Sequence, residues 1–155
     1  AHERGIEITE SASTDVGDFA TMISATVITE DRVRTASGTM FGQQFLRLVR
    51  LDHFQLDAYL DGLMLMYRHR DVPGLIGAIG TTFGQHHVNI SHMALGTPPR
   101  TGRGEARAPR AVAVVNLDNK PSEQALQEVA AHPDVMGVRL IELPPAGAPL
   151  PWLGL

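Results

Sequence analysis

The sequence predicts an α+β fold, in which a small, mostly antiparallel β region precedes a βαββαβ unit. Short runs of alternating apolar and polar residues fill residues 1–61, which favours strands joined by tight turns. Between residues 62 and 143, two segments of helical period are interleaved with further strand-like runs. Elements in this order place helices on one sheet. Residues 144–155 are rich in proline and are expected to form an extended tail.

The β region is predicted from its alternation and its turn residues. Glu30, Asp31 and Arg32 separate two alternating runs, so these runs are expected to form a hairpin. The predicted strands lie near residues 6–8, 22–28, 33–41, 46–51 and 54–60. A sheet of this size buries too little apolar surface to be stable as an isolated fold. We therefore expect it to pack on a partner chain or to belong to a larger protein.

The βαββαβ unit is predicted from two helices and four strands. Leu75, Ile79 and Phe83 fall on one face of the first helix. Pro73 and Pro121 are expected in the first turns of the two helices, where a missing N–H is no loss. The predicted elements are a strand at 62–69, a helix at 73–86, strands at 88–95 and 111–117, a helix at 121–131 and a strand at 135–142. They form a ferredoxin-like sandwich, with one sheet face and one edge expected to stay open.

Composition excludes several classes of function. The formal net charge of −4 gives no basic surface that would favour nucleic acid. Cysteine is absent and the histidines lack the spacing of a metal site, so neither thiolate chemistry nor a metal is expected. No apolar run has the length of a membrane span or of a signal peptide, so we expect a cytoplasmic protein without a membrane partner. No catalytic triad, carboxylate pair or dinucleotide-binding glycine motif stands out, which indicates a non-catalytic chain.

Two motifs carry a resemblance to known domains. The segment Arg-Asp-Val-Pro-Gly-Leu-Ile at 70–76, followed by Val-Asn-Ile at 88–90, resembles the ACT domain, a small-molecule sensor attached to many enzymes of amino-acid metabolism. Upstream, residues 37–42 (SGTMFG), 48–51 (LVRL) and 53–56 (HFQL) are similar to the end of the intervening domain of long-form D-3-phosphoglycerate dehydrogenases. The resemblance implies a C-terminal portion of an intervening domain at 1–61, an ACT domain at 62–143 and a separate tail at 144–155.

The resemblance also implies a function. It indicates the regulatory region of an NAD-dependent D-3-phosphoglycerate dehydrogenase of L-serine biosynthesis, which binds a small amino acid, L-serine above all. NAD and the catalytic residues would then belong to the catalytic domain of the parent chain, and the ACT domains would form a homodimer. Two alternatives stay open. The ACT fold could serve as a dimerisation module without a ligand, or the chain could be the regulatory half of an iron–sulfur serine dehydratase.

The turn before the first helix is the best candidate for a ligand site. A helix N-terminus suits a ligand carboxylate, Asp71 could take an ammonium group, and Asn89 can both donate and accept hydrogen bonds. By resemblance, His69, Asp71 and Asn89 stand where serine-sensing ACT domains contact their ligand. We expect Asn89 to come from a neighbouring subunit, and Val72, Gly74, Leu75 and Ile90 to complete the site. The alternative is that Asp71 caps the helix and Asn89 serves a turn.

Two other groups of residues attract attention. Arg47, Arg50 and His53 crowd one segment of the β region, where the resemblance implies a site for phosphate-like anions. An ordinary solvated basic strand is the alternative.

Glycines at 77, 80 and 84 share one face of the first helix, which favours close approach by another backbone or a ligand. A flexible helix end is the alternative explanation for Gly84.

Overall fold

The computed structural model describes residues 7, 9, 22–41, 45–99 and 110–144. The elements are β1 Ile23–Ile28, β2 Val33–Phe41, β3 Phe45–Leu51, β4 Phe54–Tyr59, β5 Leu63–Arg70, α1 Leu75–Gln85, β6 Ile90–Gly96, β7 Arg110–Leu117, α2 Glu123–Ala131 and β8 Val135–Glu142. They confirm the predicted α+β class and the βαββαβ order. The strand predicted near residues 6–8, most of the loop before β7 and nearly all of the tail lie outside the described residues.

The first sheet is an antiparallel meander with the order β1-β2-β3-β4. The β1–β2 hairpin closes at the predicted turn, where the Thr29 N–H donates to the Arg32 carbonyl over 2.9 Å. Bulges interrupt the register after Ser37 on β2 and between Leu48 and Arg50 on β3. The alternation predicted for the β region is therefore confirmed, with local irregularities that alternation alone does not reveal.

The second sheet has the order β6-β7-β5-β8, and all of its neighbouring strands are antiparallel. The strand β7 lies between β5 and β6, so α1 crosses over it, as in a ferredoxin-like fold. Both helices pack on one face of this sheet. That core contains Leu65, Tyr67, Leu75, Ile79, Phe83, Val88, Ala113, Val115, Leu117 and Val129.

The prediction that the other sheet face stays open is wrong. Leu48 and Ala58 of the first sheet pack on Met64, Ala94 and Val114 of the second. A smaller cluster of Leu51, Phe54 and Val112 extends the same contact. The first sheet therefore covers the face that the helices leave bare, and the described chain has three layers: helices, second sheet and first sheet. The reason is that β5 and β7 are apolar on both faces, which a two-layer arrangement would leave exposed.

Both helices begin two residues later than predicted. Gly74 is the N-cap of α1 with a left-handed backbone (φ 89°), so the helix cannot include Pro73. At α2, the extended Ser122 is the N-cap, and its hydroxyl accepts from the Ala125 N–H over 3.1 Å. A serine side chain can satisfy this N–H, which explains why the helix starts after Ser122 and leaves Pro121 outside.

Candidate functional site

The turn from β5 into α1 leaves the helix N-terminus without a side-chain cap. Gly74 has no side chain, so the N-cap position makes no side-chain capping hydrogen bond, and the first turn contains no acidic residue. The first N–H groups of α1 present donors and a partial positive charge. The N-cap residue is Gly74 and not Asp71, which lies three residues earlier. A Cβ at Gly74 would meet no atom within 4 Å.

His69 lies at the end of β5 with its side chain turned into the protein. It is 2% exposed, and its Nδ1 lies 2.7 Å from the carbonyl oxygen of Arg70. A carbonyl oxygen only accepts hydrogen bonds, so Nδ1 carries the proton and Nε2 of the neutral ring is an acceptor. Within the described residues, Nε2 is buried without a hydrogen-bond partner. A lone acceptor of this kind is rare in a protein interior.

Tyr67 lies beside His69 and was not predicted as a site residue, because the alternation of β5 places it with the apolar core. Its hydroxyl is also buried without a partner in the described part of the chain, and its ring lies 5.4 Å from that of His69. Burial raises the pKa of Tyr67 to about 12. The sequence pattern that could have pointed to Tyr67 is its spacing from His69. The two residues lie two positions apart, on the same face of a strand.

Asn89 and Ile90 lie at the other end of α1 from Asp71. The 11 residues of this helix span about 16 Å. The strand register agrees, because Ile90 pairs with Leu117 at one end of β7 while Arg70 pairs with Arg110 at the other. Within one chain, the structure therefore does not bring Asn89 or Ile90 to the turn.

Asn89 has partners of its own in this chain. Its amide Nδ2 donates to the Asp118 carboxylate, and its backbone N–H donates to Asn119 Oδ1 over 3.2 Å. The Asn119 amide in turn donates to the His87 carbonyl over 3.1 Å. These hydrogen bonds connect the end of α1 to the loop after β7. A structural role of this kind was the alternative to ligand binding for Asn89.

The remaining predicted residues of the turn differ in exposure. Leu75 is 2% exposed and packs in the helix-side core, so only its backbone N–H faces the turn as a possible donor. Val72 is 37% exposed and its backbone N–H donates to the Arg70 carbonyl.

The helix glycines 77, 80 and 84 would each accept a Cβ without meeting an atom within 4 Å. The close packing expected at these glycines is therefore not made by the described residues of the chain itself.

The predicted anion residues lie around β3, and the structure brings two of them to one face. Arg47 pairs with Thr39, and Arg50 with Ser37, so both point to the side of the first sheet that faces away from the second. His53 lies in the β3–β4 turn and stacks on Phe54, with the ring centroids 4.1 Å apart.

Arg47 is already engaged. Its Nε and Nη2 donate to the two carboxylate oxygens of Asp57 over 2.7 and 2.9 Å, and its guanidinium lies 3.8 Å from the centre of the Tyr59 ring. The hydrogen bond to Asp57 raises the pKa of Arg47, and Arg47 lowers the pKa of the Asp57 carboxyl. These three side chains, with Phe41 and Phe45, line a cavity of about 300 Å³. Asp57 neutralises the charge of Arg47. We therefore expect an anion to bind Arg47 less strongly than the sequence alone suggests.

None of the described helices is long and apolar enough to span a membrane.

Comparison with known proteins connects this fold to a family. The family model of the ACT domain matches residues 64–134. The family model of the D-3-phosphoglycerate dehydrogenase intervening domain matches residues 1–52. The ACT match covers the helices and strands that form the turn described above.

Three relatives align along most of the chain, and each is named D-3-phosphoglycerate dehydrogenase. The protein of Bacillus subtilis (strain 168) is 28% identical over 144 residues, that of Archaeoglobus fulgidus 27% over 143, and that of Synechocystis sp. 29% over 139. These alignments cover 93%, 92% and 90% of this chain, but only 26%, 26% and 23% of the relatives. The chain thus spans about a quarter of the length of the curated relatives it matches. The chain therefore contains, in this order, a segment similar to the intervening domain of D-3-phosphoglycerate dehydrogenase and an ACT domain.

Proposed function

We propose that this chain is the regulatory region of an NAD-dependent, cytoplasmic D-3-phosphoglycerate dehydrogenase of L-serine biosynthesis, and that it binds a small amino acid, L-serine. The parent enzyme would oxidise its substrate in a separate catalytic domain, which would also hold the NAD. The names of the relatives support this activity. The intervening-domain match favours the dehydrogenase over an iron–sulfur serine dehydratase, because that family model is described as a dehydrogenase domain.

The observation that carries the ligand site is the uncapped start of α1. The N-cap Gly74 makes no side-chain capping hydrogen bond, and its left-handed backbone has open space where a Cβ would lie. A ligand carboxylate can accept hydrogen bonds from these N–H groups, where the helix dipole favours negative charge. Asp71, three residues before Gly74, can exchange its present contact for the ligand ammonium. An α-amino acid carries both charges, so it fits this turn better than a simple anion does.

A second copy of the chain would complete the site. Asn89 and Ile90 lie about 16 Å from the turn in their own chain, as the length of α1 shows. Two ACT domains related by a two-fold axis, and meeting through α1 and the β6 edge, would bring Asn89 of one copy to Asp71 of the other. The ligand would then bind between subunits. Its occupancy would bias one subunit arrangement over another, which is what regulation requires.

A second candidate function is dimerisation without a ligand. Asn89 already bonds to Asp118 and Asn119 in its own chain, so it has less need of a ligand. The glycine face of α1 has room for another backbone. Under this alternative the same surfaces meet and the turn has no occupant.

Calorimetric titration with L-serine separates the two functions. We expect saturable binding by the wild type. Asp71→Ala should weaken it by about 1.5 to 3 kcal/mol, because the substitution removes a charge-assisted hydrogen bond. This loss corresponds to about one to two decades in Kd. Asp31→Ala, which removes an exposed carboxylate of the β1–β2 turn, is the matched control and should bind serine like the wild type.

Two results would decide against the ligand site. Serine affinity that is unchanged in Asp71→Ala would place the ligand elsewhere. A protein that is dimeric by light scattering but gives no binding heat with any common amino acid would support the interaction module instead.

A further inference from the structure

Four arginines share one face of the second sheet. Opposite residues on neighbouring strands lie on the same face, and so do residues two positions apart on one strand. On β5, Arg70 lies two positions from Arg68 and directly opposite Arg110 of β7. On β8, Arg139 lies two positions from Gly137, the residue opposite Arg68. We call these four side chains the arginine patch: Arg68, Arg70, Arg110 and Arg139.

The arginine patch is exposed to solvent. It lies on the face of the second sheet that the first sheet partly covers, and the apolar contact between the sheets extends to Val112, beneath Leu51 and Phe54. Arg110 comes two residues before Val112 on β7, and all four arginines are exposed. A ligand therefore reaches the guanidinium groups directly from solvent, and no cavity has to open.

Most of the positive charge in the patch is uncompensated in the described part of the chain. The Asp134 carboxylate lies 3.7 Å from Arg70 Nη1. The other three, Arg68, Arg110 and Arg139, make no ion pair with a described residue. Like charges directly opposite each other destabilise a sheet, so the pairing of Arg70 with Arg110 calls for a compensating anion.

The Arg68 guanidinium lies across β8. A Cβ at Gly137 would lie 3.9 Å from Arg68 Nη2. Because Gly137 has no side chain, the residue opposite Arg68 places nothing between it and Arg139. The glycine thus lets charges from two neighbouring strands come together.

The size of the patch favours one kind of anion. The patch crosses the three strands β7, β5 and β8, so it is about 10 Å wide. Duplex DNA or an anionic membrane would extend over the rest of the surface, and the chain has a net charge of −4. A small ligand responds mainly to charges within the Debye length, about 8 Å at physiological ionic strength. The patch therefore suits a small molecule with more than one anionic group.

We propose that the arginine patch binds a small molecule that carries two or more phosphate groups. Guanidinium groups form bidentate hydrogen bonds with phosphate oxygens and keep their charge at all physiological pH values. Four of them on three strands can engage two phosphates at once, whereas a single phosphate would leave part of the patch unpaired. The patch shares no residue with the group Arg47, Arg50 and His53, and the inference does not depend on the proposed amino-acid site.

Calorimetric titration with inorganic tripolyphosphate tests this inference. We expect saturable binding by the wild type that weakens as sodium chloride is added. Arg68→Gln and Arg139→Gln should each lower the affinity about tenfold or more, since each loses charge-assisted hydrogen bonds. Arg32→Gln is the matched control, because Arg32 is an exposed arginine of the β1–β2 turn, and it should bind like the wild type.

Thermal unfolding gives a second readout. Without a ligand, Arg110→Gln should raise the Tm, because it removes one of two opposed charges. Tripolyphosphate should raise the Tm of the wild type, because it binds the folded state, and should raise that of Arg110→Gln less. A patch without a ligand function would show the first effect and not the second.

Other anions identify the kind of ligand. We expect sulfate and citrate to bind at least roughly tenfold more weakly than tripolyphosphate, since neither presents linked phosphates. Equal binding of citrate would contradict the phosphate class. Tighter binding of duplex DNA, of anionic vesicles or of a hexaglutamate peptide would assign the patch to a macromolecular partner and overturn the proposal. Unchanged tripolyphosphate affinity in Arg68→Gln and Arg139→Gln would also overturn it. Serine binding is measured separately, so the amino-acid site stands or falls independently.

Discussion

At the scale of single residues, Gly96 lies in close contact with both sheets. It is buried near the end of β6. A Cβ at this position would lie 2.7 Å from Val112 Cγ1, and 3.3 Å from the Cβ atoms of Leu56 and Phe54 in the first sheet. Real Cβ atoms do not come as close as the first of these distances. Glycine is therefore required here by packing, and not by a left-handed backbone.

Gly96→Ala should destabilise the protein. Overpacking of this kind costs about 1 to 3 kcal/mol, because neighbouring side chains or strands must shift. The free energy of unfolding in denaturant measures the effect. Gly137→Ala on β8 is the control, because its Cβ would meet only Arg68 Nη2, at 3.9 Å, which is an ordinary van der Waals distance. We expect that control to be at least as stable as the wild type. Full stability of Gly96→Ala would contradict the packing of the two sheets.

At the scale of elements, a hydrogen bond joins the two helices. His86, the C-cap of α1, places its Nε2 3.0 Å from Glu128 Oε2 on α2. The hydrogen bond from His86, followed by one from Gln124, lowers the pKa of the Glu128 carboxyl below its ordinary value of 4.5. In the folded protein this carboxyl therefore holds its proton less tightly than in the unfolded chain. The link contributes stability above pH 4.5 and loses it as the pH falls through the folded pKa.

Glu128→Gln should reduce the loss of stability in acid. We expect the difference in unfolding free energy between about pH 6 and about pH 3.5 to be smaller in this variant, since glutamine does not titrate in that range. Both proteins can be compared by urea denaturation at the two pH values. Glu30→Gln, in the β1–β2 turn, changes the net charge equally but lies outside the helices. If it reduced the acid loss as much as Glu128→Gln, the effect would reflect net charge and not the link.

At the scale of the whole molecule, Asn116 fastens the second sheet to the segment that joins the sheets. It is 6% exposed, and its amide Nδ2 lies 3.4 Å from the Tyr59 carbonyl and 3.2 Å from that of Asp61. A backbone bridge adds a second connection, in which Gln55 and Thr97 exchange hydrogen bonds of 3.2 and 3.3 Å. These bonds and the apolar contacts between the sheets make the first sheet a part of the same fold.

Asn116→Ala should lower the free energy of unfolding by about 1 to 3 kcal/mol, because two partly buried carbonyls lose their donor. Thermal or denaturant unfolding measures this loss. Gln55→Ala is the control, since the bridge to Thr97 uses only backbone atoms of Gln55 and should survive. Equal losses in the two variants would show that the side chain of Asn116 is not what joins the sheets.

The sequence by itself determined which segments are strands and helices, because side-chain periodicity is a local property. The alternation of Leu65 and Tyr67 with Met64 and Met66 along the sequence agrees with the two faces of β5 in the structure. The ACT-like turn was also recognisable from its residues, since it occupies one short segment. The sequence did not show the layer formed by the first sheet. That contact joins Leu48 to Val114, residues far apart in the chain, and no local pattern records such a pairing.

Tertiary structure also set the distances within the candidate site. The length of α1 separates Asn89 from Asp71, so one chain does not bring both residues to the turn. Asn89 was already expected to come from a neighbouring subunit, and the length of the helix gives a physical reason for that expectation. That the Tyr67 hydroxyl has no partner among the described residues also emerged only from the fold. Whether a buried polar atom has a partner depends on every strand and helix around it, and periodicity specifies only the face on which it lies.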